Sequence, residues 1–324
     1  MTVPESPERA PGSARTVTVS EDRAGQRLDN YLLNLLKGAP RSLVYKLVRS
    51  GQVRINGGRI RADYKLDEGD EIRIPPVRLD PPGEKGTPAK GLLEAMEASI
   101  VFEDARLLVV NKPSGVASHG GSGISFGVIE TLRVLRPRES LELVHRLDRD
   151  TSGVLVLAKK RSALSELQAL MREDGGRGAG LRKRYLALLT GRMPDGVMSV
   201  DAPLHVGLRQ GGERHVQVHD NGKPSLSHFK LLERRGGQSY CEVRIETGRT
   251  HQIRAHARHI GHPVAGDDKY GDPEVNARLR RNIGLKRLFL HAASLEFALD
   301  AGKAPYVLSA PLPADLLDAL DQLG

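Results

Sequence analysis

Tryptophan is absent from this chain, and cysteine occurs once, at Cys241. A single cysteine excludes an intrachain disulfide framework and points to a reducing compartment, so a cytoplasmic location is expected. In its strand-like surroundings Cys241 reads as a small core residue rather than a nucleophile. Aromatic residues make up only 4% of the chain, which leaves few platforms for stacking single-stranded bases. No apolar run approaches the length of a membrane span. Residues 1–14 are rich in Pro, Glu and Ser and lack an apolar segment; they read as a disordered tail, not a secretory signal.

Positive charge, by contrast, is in excess. The 49 lysines and arginines against 40 acids leave a net charge of +9, which favours a polyanionic partner through counterion release. With 324 residues, 39% of them hydrophobic, the chain can build two domains or one large domain with an appendage.

Val17 and Val19 alternate with polar residues as in a short strand. Leu28, Tyr31, Leu32 and Leu35 follow helical spacing, and Leu43, Val44, Leu47 and Val48 do so again after the break at Gly38 and Pro40. Residues 52–58 read as a strand entering an Asn56-Gly57 turn, a hairpin cue, and Glu71 to Ile74 as a closing strand. Between Arg41 and Ala62 this unit carries Arg41, Lys46, Arg49, Arg54, Arg59 and Arg61 and no acid. Such a one-signed stretch suits phosphate contacts, or is simply a solvated basic face. Residues 76–98 open on a segment rich in Pro, Gly and charge and are expected to be a linker. Beyond them, residues 99–102 and 107–111 read as a hairpin around Glu103-Asp104. Short strands then mix with isolated helices, as over 126–135 and 162–171, which is an α+β pattern.

The most informative stretch is His145-Arg146-Leu147-Asp148-Arg149-Asp150-Thr151-Ser152-Gly153, followed by the apolar run Val154 to Ala158, which reads as a buried strand. An acid among cationic neighbours is expected to be ionised, available as a nucleophile or base, or else part of an ordinary ion-paired loop. Were the strand to extend back to Asp148, Asp148 and Asp150 would share one face roughly 6.5–7 Å apart, a spacing that also suits an inverting glycosidase. His251, His256, His259 and His262 invite a metal reading, but Arg254 and Arg258 interleave with them; a basic helix facing RNA, ended by Gly261 and Pro263, is the expectation. His119-Gly120-Gly121-Ser122-Gly123 has the look of a phosphate-contacting loop without the Lys-Ser or Lys-Thr of a nucleotide-hydrolysing loop. A metal-dependent RNA hydrolase and a non-catalytic ribosome-assembly binder stay open as alternatives to an enzyme built on Asp148.

Taken together, these stretches resemble the RluA family of RNA pseudouridine synthases. Residues 145–153 look like its signature, and Lys112-Pro113-Ser114-Gly115, residues 119–123 and Thr247-Gly248-Arg249-Thr250-His251-Gln252-Ile253-Arg254 follow its pattern in order. The likeness runs from about Arg15 to Pro313 and is greatest to the type that acts on large-subunit ribosomal RNA. Arg27-Leu28-Asp29, Arg41-Ser42, Gly51-Gln52-Val53 and Gly69-Asp70 resemble the small RNA-binding domain named for ribosomal small-subunit protein four, the S-four domain.

The resemblance implies an S-four-like domain over 15–75 and a catalytic domain over 99–324, whose mixed, largely antiparallel sheet carries a central cleft and is flanked by helices. It makes Asp148 the catalytic carboxylate and sets Tyr185 against the target base. Arg249, or less favourably Arg254, would pair with Asp148. Arg146 would fill the gap left by a flipped base, with His145, Arg254, Arg41, Lys46, Arg49 and Arg54 contacting RNA. Asp150 is left as a turn partner. The implied partner is large-subunit ribosomal RNA, bound by a monomer with no membrane, metal or organic cofactor.

Overall fold

The computed structural model describes residues 14–36, 39, 41–77, 87–121, 126–173, 181–208, 214–299 and 304–324. The chain divides into two compact units, within residues 1–86 and 87–324. The tail expected over residues 1–14 lies, apart from Ala14, outside the described residues.

The first unit comprises β1 (Arg15–Thr18), α1 (Leu28–Leu35), α2 (Arg41–Arg49), β2 (Arg54–Ile55) and β3 (Glu71–Ile74). Its sheet runs β1-β3-β2, antiparallel throughout. The helical stripes expected from spacing form its core: Leu28, Leu32, Val44, Leu47 and Val48 close on Val53 and Ile72. Asp29 ties the helices together, taking a fork from Arg27 at 3.1 and 2.7 Å and a hydrogen bond from the Tyr45 hydroxyl at 2.9 Å. The Asn56-Gly57 turn forms, with φ of 50° and 78°, but the chain beyond it does not continue a ladder. Instead the Asn56 side chain accepts from Glu71 N–H and donates to Asp70, both through 2.8–2.9 Å bonds, which clips the turn to β3.

The second unit runs α3 (Lys90–Ala98), β4 (Ile100–Glu103), β5 (Leu107–Lys112), α4 (Val128–Leu135), β6 (Glu142–Leu143), β7 (Ser152–Ala158), α5 (Arg161–Glu173), β8 (Leu181–Leu189), β9 (Val197–Asp201), β10 (Leu204–Leu208), β11 (Arg214–Val218), β12 (Leu226–Arg235), β13 (Gln238–Ile245), α6 (Gln252–His259), α7 (Pro273–Ile283), β14 (Leu290–Phe297), β15 (Tyr306–Ser309) and α8 (Ala314–Asp321). A 10-stranded sheet follows the path β4-β5-β7-β14-β8-β13-β12-β9, with β15 on β14 and β6 on β7. Among the described residues only β7 and β14 pair in parallel, so the sheet is mixed and largely antiparallel. β10 and β11 form a separate hairpin.

β7 explains its composition. Val154, Val156 and Ala158 join Ala163 and Leu167 of α5 in one core layer, while Leu155 and Leu157 join Met96 of α3 and Val128 and Leu132 of α4 in another. A strand covered on both faces has no polar side, hence the unbroken apolar run. Burying each such side chain stabilises the fold by about 1.5–3 kcal/mol. On the other half of the sheet, Ile253 and Ala257 of α6 pack on Ala187, Phe229 and Val243. Cys241 lies in this core, and burial pushes its thiol up to about 12, in keeping with a packing role.

Residues 90–98, expected within the linker, form α3. Leu92 and Met96 have helical spacing and pack into the layer beneath β5 and β7, a pattern masked in the sequence by the nearby Pro88 and Gly91. α6 is likewise not the exposed basic helix expected. Gln252 to Ala257 are all buried, and only Arg258 and His259 are exposed. Its end is as expected: the Gly261 and His262 amides bond back to the Arg258 and Ala257 carbonyls at 3.0 Å, with Gly261 at φ 80°.

Candidate active site

Asp148 lies in the segment joining β6 to β7, over the middle of the sheet. It is not on an extended strand: the Thr151 amide bonds to its carbonyl at 3.2 Å, closing a turn whose corners are Arg149 and Asp150. The turn is pinned from beside it. Lys112, fully buried, donates to the carbonyls of Pro113, Val116 and Arg149 at 2.9, 2.7 and 2.9 Å. Burial pushes its amine down to about 7 while Asp150 and Asp148 pull the other way, and the three carbonyls match the three protons of an ammonium. The Gly115 amide and Ser114 hydroxyl hold the Arg149 and Asp150 carbonyls at 2.9 and 2.8 Å. Ser118 both donates to the Leu147 carbonyl and accepts from its amide. The backbone on both sides of Asp148 is thereby fixed by residues 112–118.

The cation facing Asp148 is Arg254, whose Nη1 lies 3.4 Å from Asp148 Oδ2. Arg254 is itself held by Asp267 through a fork of 2.7 and 2.9 Å, with its guanidinium 5.1 Å above the Tyr270 ring. Burial works against the Arg254 charge, but the Asp267 hydrogen bonds together with the charges of Asp267 and Asp148 outweigh it and raise the pKa above the ordinary value. Asp267 is buried too; the Arg254 fork and the amides of Tyr270 and Lys269 overcome that burial and hold its carboxyl below the usual range. His251 Nε2 stands 3.8 Å from the same Asp148 Oδ2.

A cleft of about 620 Å³ opens above this group, with Arg146, Asp148, Arg149, Lys269, Lys286 and Arg287 on its walls. Among the described residues no acid pairs with Arg146 or Lys286. Next to it a smaller recess is bounded by Asp148, Arg146, Tyr185, Ile253 and Leu290. Burial, with a contribution from the Asp148 charge, raises the Tyr185 pKa, so the phenol stays protonated. An acid, a ring and apolar walls around a small recess can hold a planar heterocycle against the carboxylate.

The structure thus brings Asp148, Tyr185, Arg146 and Arg254 together and reverses the preference between the two arginines. Arg249 borders the recess, but its Nε bonds to the Pro224 carbonyl at 3.2 Å and it makes no ion pair with Asp148. It precedes α6 in a turn, whereas Arg254 stands on the first turn of the helix and is aimed at the cleft floor by Asp267. His145 is not positioned to bind RNA in this cleft: its Nε2 accepts the Val156 amide of β7 at 3.2 Å, and burial, reinforced by Lys183, lowers its pKa to about 4. Asp150 pairs with Arg149 at 3.2 Å, and the turn removes the extended geometry on which a two-carboxylate reading rested.

The four histidines go separate ways. His251 meets Tyr270, His256 meets Ser227 and the Ala202 carbonyl, and His262 meets the Thr190 carbonyl; His259 is exposed. Among the described residues no group of His, Cys, Asp and Glu could hold a metal ion. At the 119–123 loop the Gly120 and Gly127 amides are already taken by Glu130 at 2.9 Å, while Ser122 and Gly123 lie outside the described residues. So does the loop 174–180 before Tyr185. In the first unit Lys46, Arg49, Arg54, Arg59 and Arg61 are exposed; the Arg41 side chain is outside the described set.

Asp267 and Tyr270 were not singled out from the sequence, and Lys112 was read only as part of the 112–115 motif, with no role of its own. A readable signal did exist in Gly266-Asp267-Asp268-Lys269-Tyr270-Gly271, an acid and a tyrosine set between glycines. At Gly266 a Cβ would stand 2.0 Å from the Arg287 carbonyl, and at Gly271 one would stand 2.4 Å from that of Asp267, so both glycines answer to close backbone approach.

Arg146 and Lys286, without a described acid partner on the wall of a cleft, suit a polyanion, and an acid fixed at its floor beside a base-sized recess suits chemistry on that polyanion: the fold and site are those of a nucleic-acid-modifying enzyme. The RNA pseudouridylate synthase family model matches residues 106–259, and the S4 domain model matches residues 26–72. The chain is 49% identical over 314 residues to ribosomal large subunit pseudouridine synthase C of Escherichia coli (strain K12), covering 96% of this chain and 97% of the relative. It belongs to the RNA pseudouridylate synthase family. Among solved structures it is similar to human RNA pseudouridylate synthase domain containing 4, with a TM-score of 0.58 and 25% identity over 72% of this chain and 95% of that one. It is also similar to human RNA pseudouridylate synthase domain containing 1, with a TM-score of 0.55 and 28% identity over 66% and 83%.

Proposed function

We propose that this chain isomerises uridines in large-subunit ribosomal RNA to pseudouridine, with Asp148 as the catalytic carboxylate. The observation that carries the reading is Asp148 set at the rim of the Tyr185 recess and gripped by an arginine that is itself locked by Asp267.

The reaction breaks the bond from the sugar C1′ to uracil N1, turns the ring and joins C1′ to C5; the hydrogen displaced from C5 leaves as a proton. Atoms and electrons balance without an oxidant or reductant. Asp148 either adds to C1′ or removes the proton from C2′, two routes that need the same carboxylate in the same place. Arg254 aims that carboxylate. Tyr185, a neutral phenol on β8, packs against the flipped uracil. Arg146, exposed and without a described partner, offers a planar guanidinium to the gap left in the RNA stack. Lys46, Arg49, Arg54 and Arg59 of the first unit hold the RNA through its phosphates, Arg41 with them. The protein acts in the cytoplasm, where ribosomal RNA is made and folded, and acts as a monomer.

The test is tritium release from large-subunit ribosomal RNA carrying uridine tritiated at C5. Wild type is expected to release tritium. Asp148→Asn should release none while binding the RNA within about threefold of wild type, since it keeps shape and removes only the charge. RNA cleavage lost in chelator would point to a hydrolase. Tight binding without release from either protein would point to an assembly factor.

A further inference from the structure

His251 is one of two non-glycine residues with positive φ among the described residues, at φ 51° and ψ 23°. It caps the start of α6, and this left-handed turn sets its imidazole between Asp148 and Tyr270. On one side Nδ1 lies 2.8 Å from the Tyr270 hydroxyl; on the other Nε2 lies 3.8 Å from Asp148 Oδ2. Histidine tolerates this conformation but gains nothing from it, and unfavourable backbone held in place at a site is a reason to look for function.

The hydrogen bonds around Tyr270 favour one imidazole tautomer. The Tyr270 oxygen accepts the Val216 amide of β11 at 3.1 Å. Among the described residues His251 Nδ1 is the acceptor that the Tyr270 hydroxyl meets; with the phenol proton given to Nδ1, a neutral imidazole carries its own on Nε2, toward Asp148. The opposite arrangement would turn an imidazole lone pair on a carboxylate. Burial lowers the pKa of His251 and Asp148 pulls it upward, the net being downward. The charged groups facing it are Asp148, Arg254, Asp267 and Lys269; behind Tyr270, His215 of β11 stacks at 5.3 Å. Arg254 and His251 both approach Asp148 from the Oδ2 side.

We propose that His251 is a positioning residue for the isomerisation: with its tautomer set by Tyr270, it donates from Nε2 to Asp148 Oδ2, joins Arg254 in occupying that oxygen, and leaves Oδ1 as the one that meets the sugar. The 3.8 Å gap closes when RNA fills the cleft, as such contacts tighten in substrate complexes.

This rests on the isomerase reading, and the experiment separates the two. Single-turnover tritium release and RNA affinity are measured from about pH 5 to about pH 8 for wild type and three variants. Tyr270→Phe keeps the ring, its stack on His215 and its place under Arg254, but frees the tautomer and removes the acceptor of the Val216 amide, a loss that pH does not alter. Its rate should fall about tenfold below wild type at the high end, the value of one charge-assisted hydrogen bond. The gap should narrow to about twofold once His251 is protonated, followed through its imidazole NMR signals as pH falls, because an imidazolium carries both protons whatever Tyr270 does. His251→Gln places an amide N–H near Nε2 and should stay within about threefold of wild type, whereas His251→Asn places it near Nδ1 and should lose about tenfold, with RNA affinity unchanged in both. Asparagine is the better residue for a left-handed backbone. If His251 serves only the turn, Asn will match or exceed Gln, and that result overturns the proposal. A Tyr270→Phe deficit that persists once His251 is protonated overturns it as well. No release by wild type would instead defeat the isomerase reading itself.

Discussion

Asp148 and Arg254 are separated by 106 residues, yet the guanidinium of one lies 3.4 Å from the carboxylate of the other. The basic residues beside Asp148 in sequence do something else: His145, a neutral imidazole, accepts an amide from β7, Arg146 faces the cleft and Arg149 pairs with Asp150. The signature motif pointed to Asp148 and the resemblance to Tyr185 and Arg146, all of which line the cleft or its recess, but chain proximity was a poor guide to the partner of Asp148. Arg249 and Arg254 both fit the motif equally well as written; what separates them is the helix that begins at Gln252 and the buried Asp267 that grips one of them. Arg254→Lys should accordingly lower the single-turnover rate about a hundredfold. An ammonium cannot fork onto Asp267 and reach Asp148 at once, and misplacing a reacting group by an ångström has an effect of this size. Arg249→Ala should instead weaken RNA binding with the rate at saturation nearly unchanged. Rate and affinity measured side by side decide this, and an Arg249 variant with the larger rate loss would restore the original preference.

Among the elements, β7 was legible because burial on both faces leaves an unbroken apolar run. Its parallel pairing with β14 was not, since nothing local to either strand records a partner that lies 139 residues away. α6 was misread for a related reason. Gln252, Arg254 and His256 give it a surface composition, but each is buried with its polar atoms satisfied by Thr247, Leu226, Asp267, Ser227 or Ala202. Gly153 is where the two strands meet. It has φ 113°, and a Cβ there would stand 2.2 Å from the Ala292 carbonyl. Backbone cannot yield as a side chain tip can, so Gly153→Ala combines strain with overpacking and should destabilise the fold by about 3 kcal/mol. It should also lower activity, because the turn carrying Asp148 enters β7 through Ser152. Urea unfolding of wild type and variant measures the first effect and tritium release the second. A loss below about 1 kcal/mol would mean that the β7–β14 junction can shift to admit a methyl group.

For the molecule as a whole, the excess of +9 has to be assigned to something, and the first unit offers the clearest one-signed surface. Lys46, Arg49, Arg54 and Arg59 are exposed there, and no described acid pairs with any of them, whereas Arg61 pairs with Asp63. Arg54 also stands opposite Arg73 across β2 and β3, a like-charge cross-strand pair that destabilises the free protein and is relieved by an anion. Residues kept in such an arrangement fit phosphate contacts better than they fit a solvated face. Each cation that neutralises a phosphate releases counterions, and for single-stranded nucleic acid the salt slope changes by about 0.7 per contact. Replacing Lys46, Arg49 and Arg54 with glutamine should therefore flatten the plot of log affinity against log salt by about 2 units, with the single-turnover rate at saturating RNA unchanged. Titrations of ribosomal RNA between about 50 and 200 mM salt give the slope directly. If affinity fell at every salt concentration with no change of slope, these side chains would act through the fold of the first unit rather than through RNA phosphates. An unchanged affinity and slope would leave the charge excess to the cleft around Asp148, where Arg146, Lys269 and Lys286 would then have to carry the electrostatic attraction to RNA.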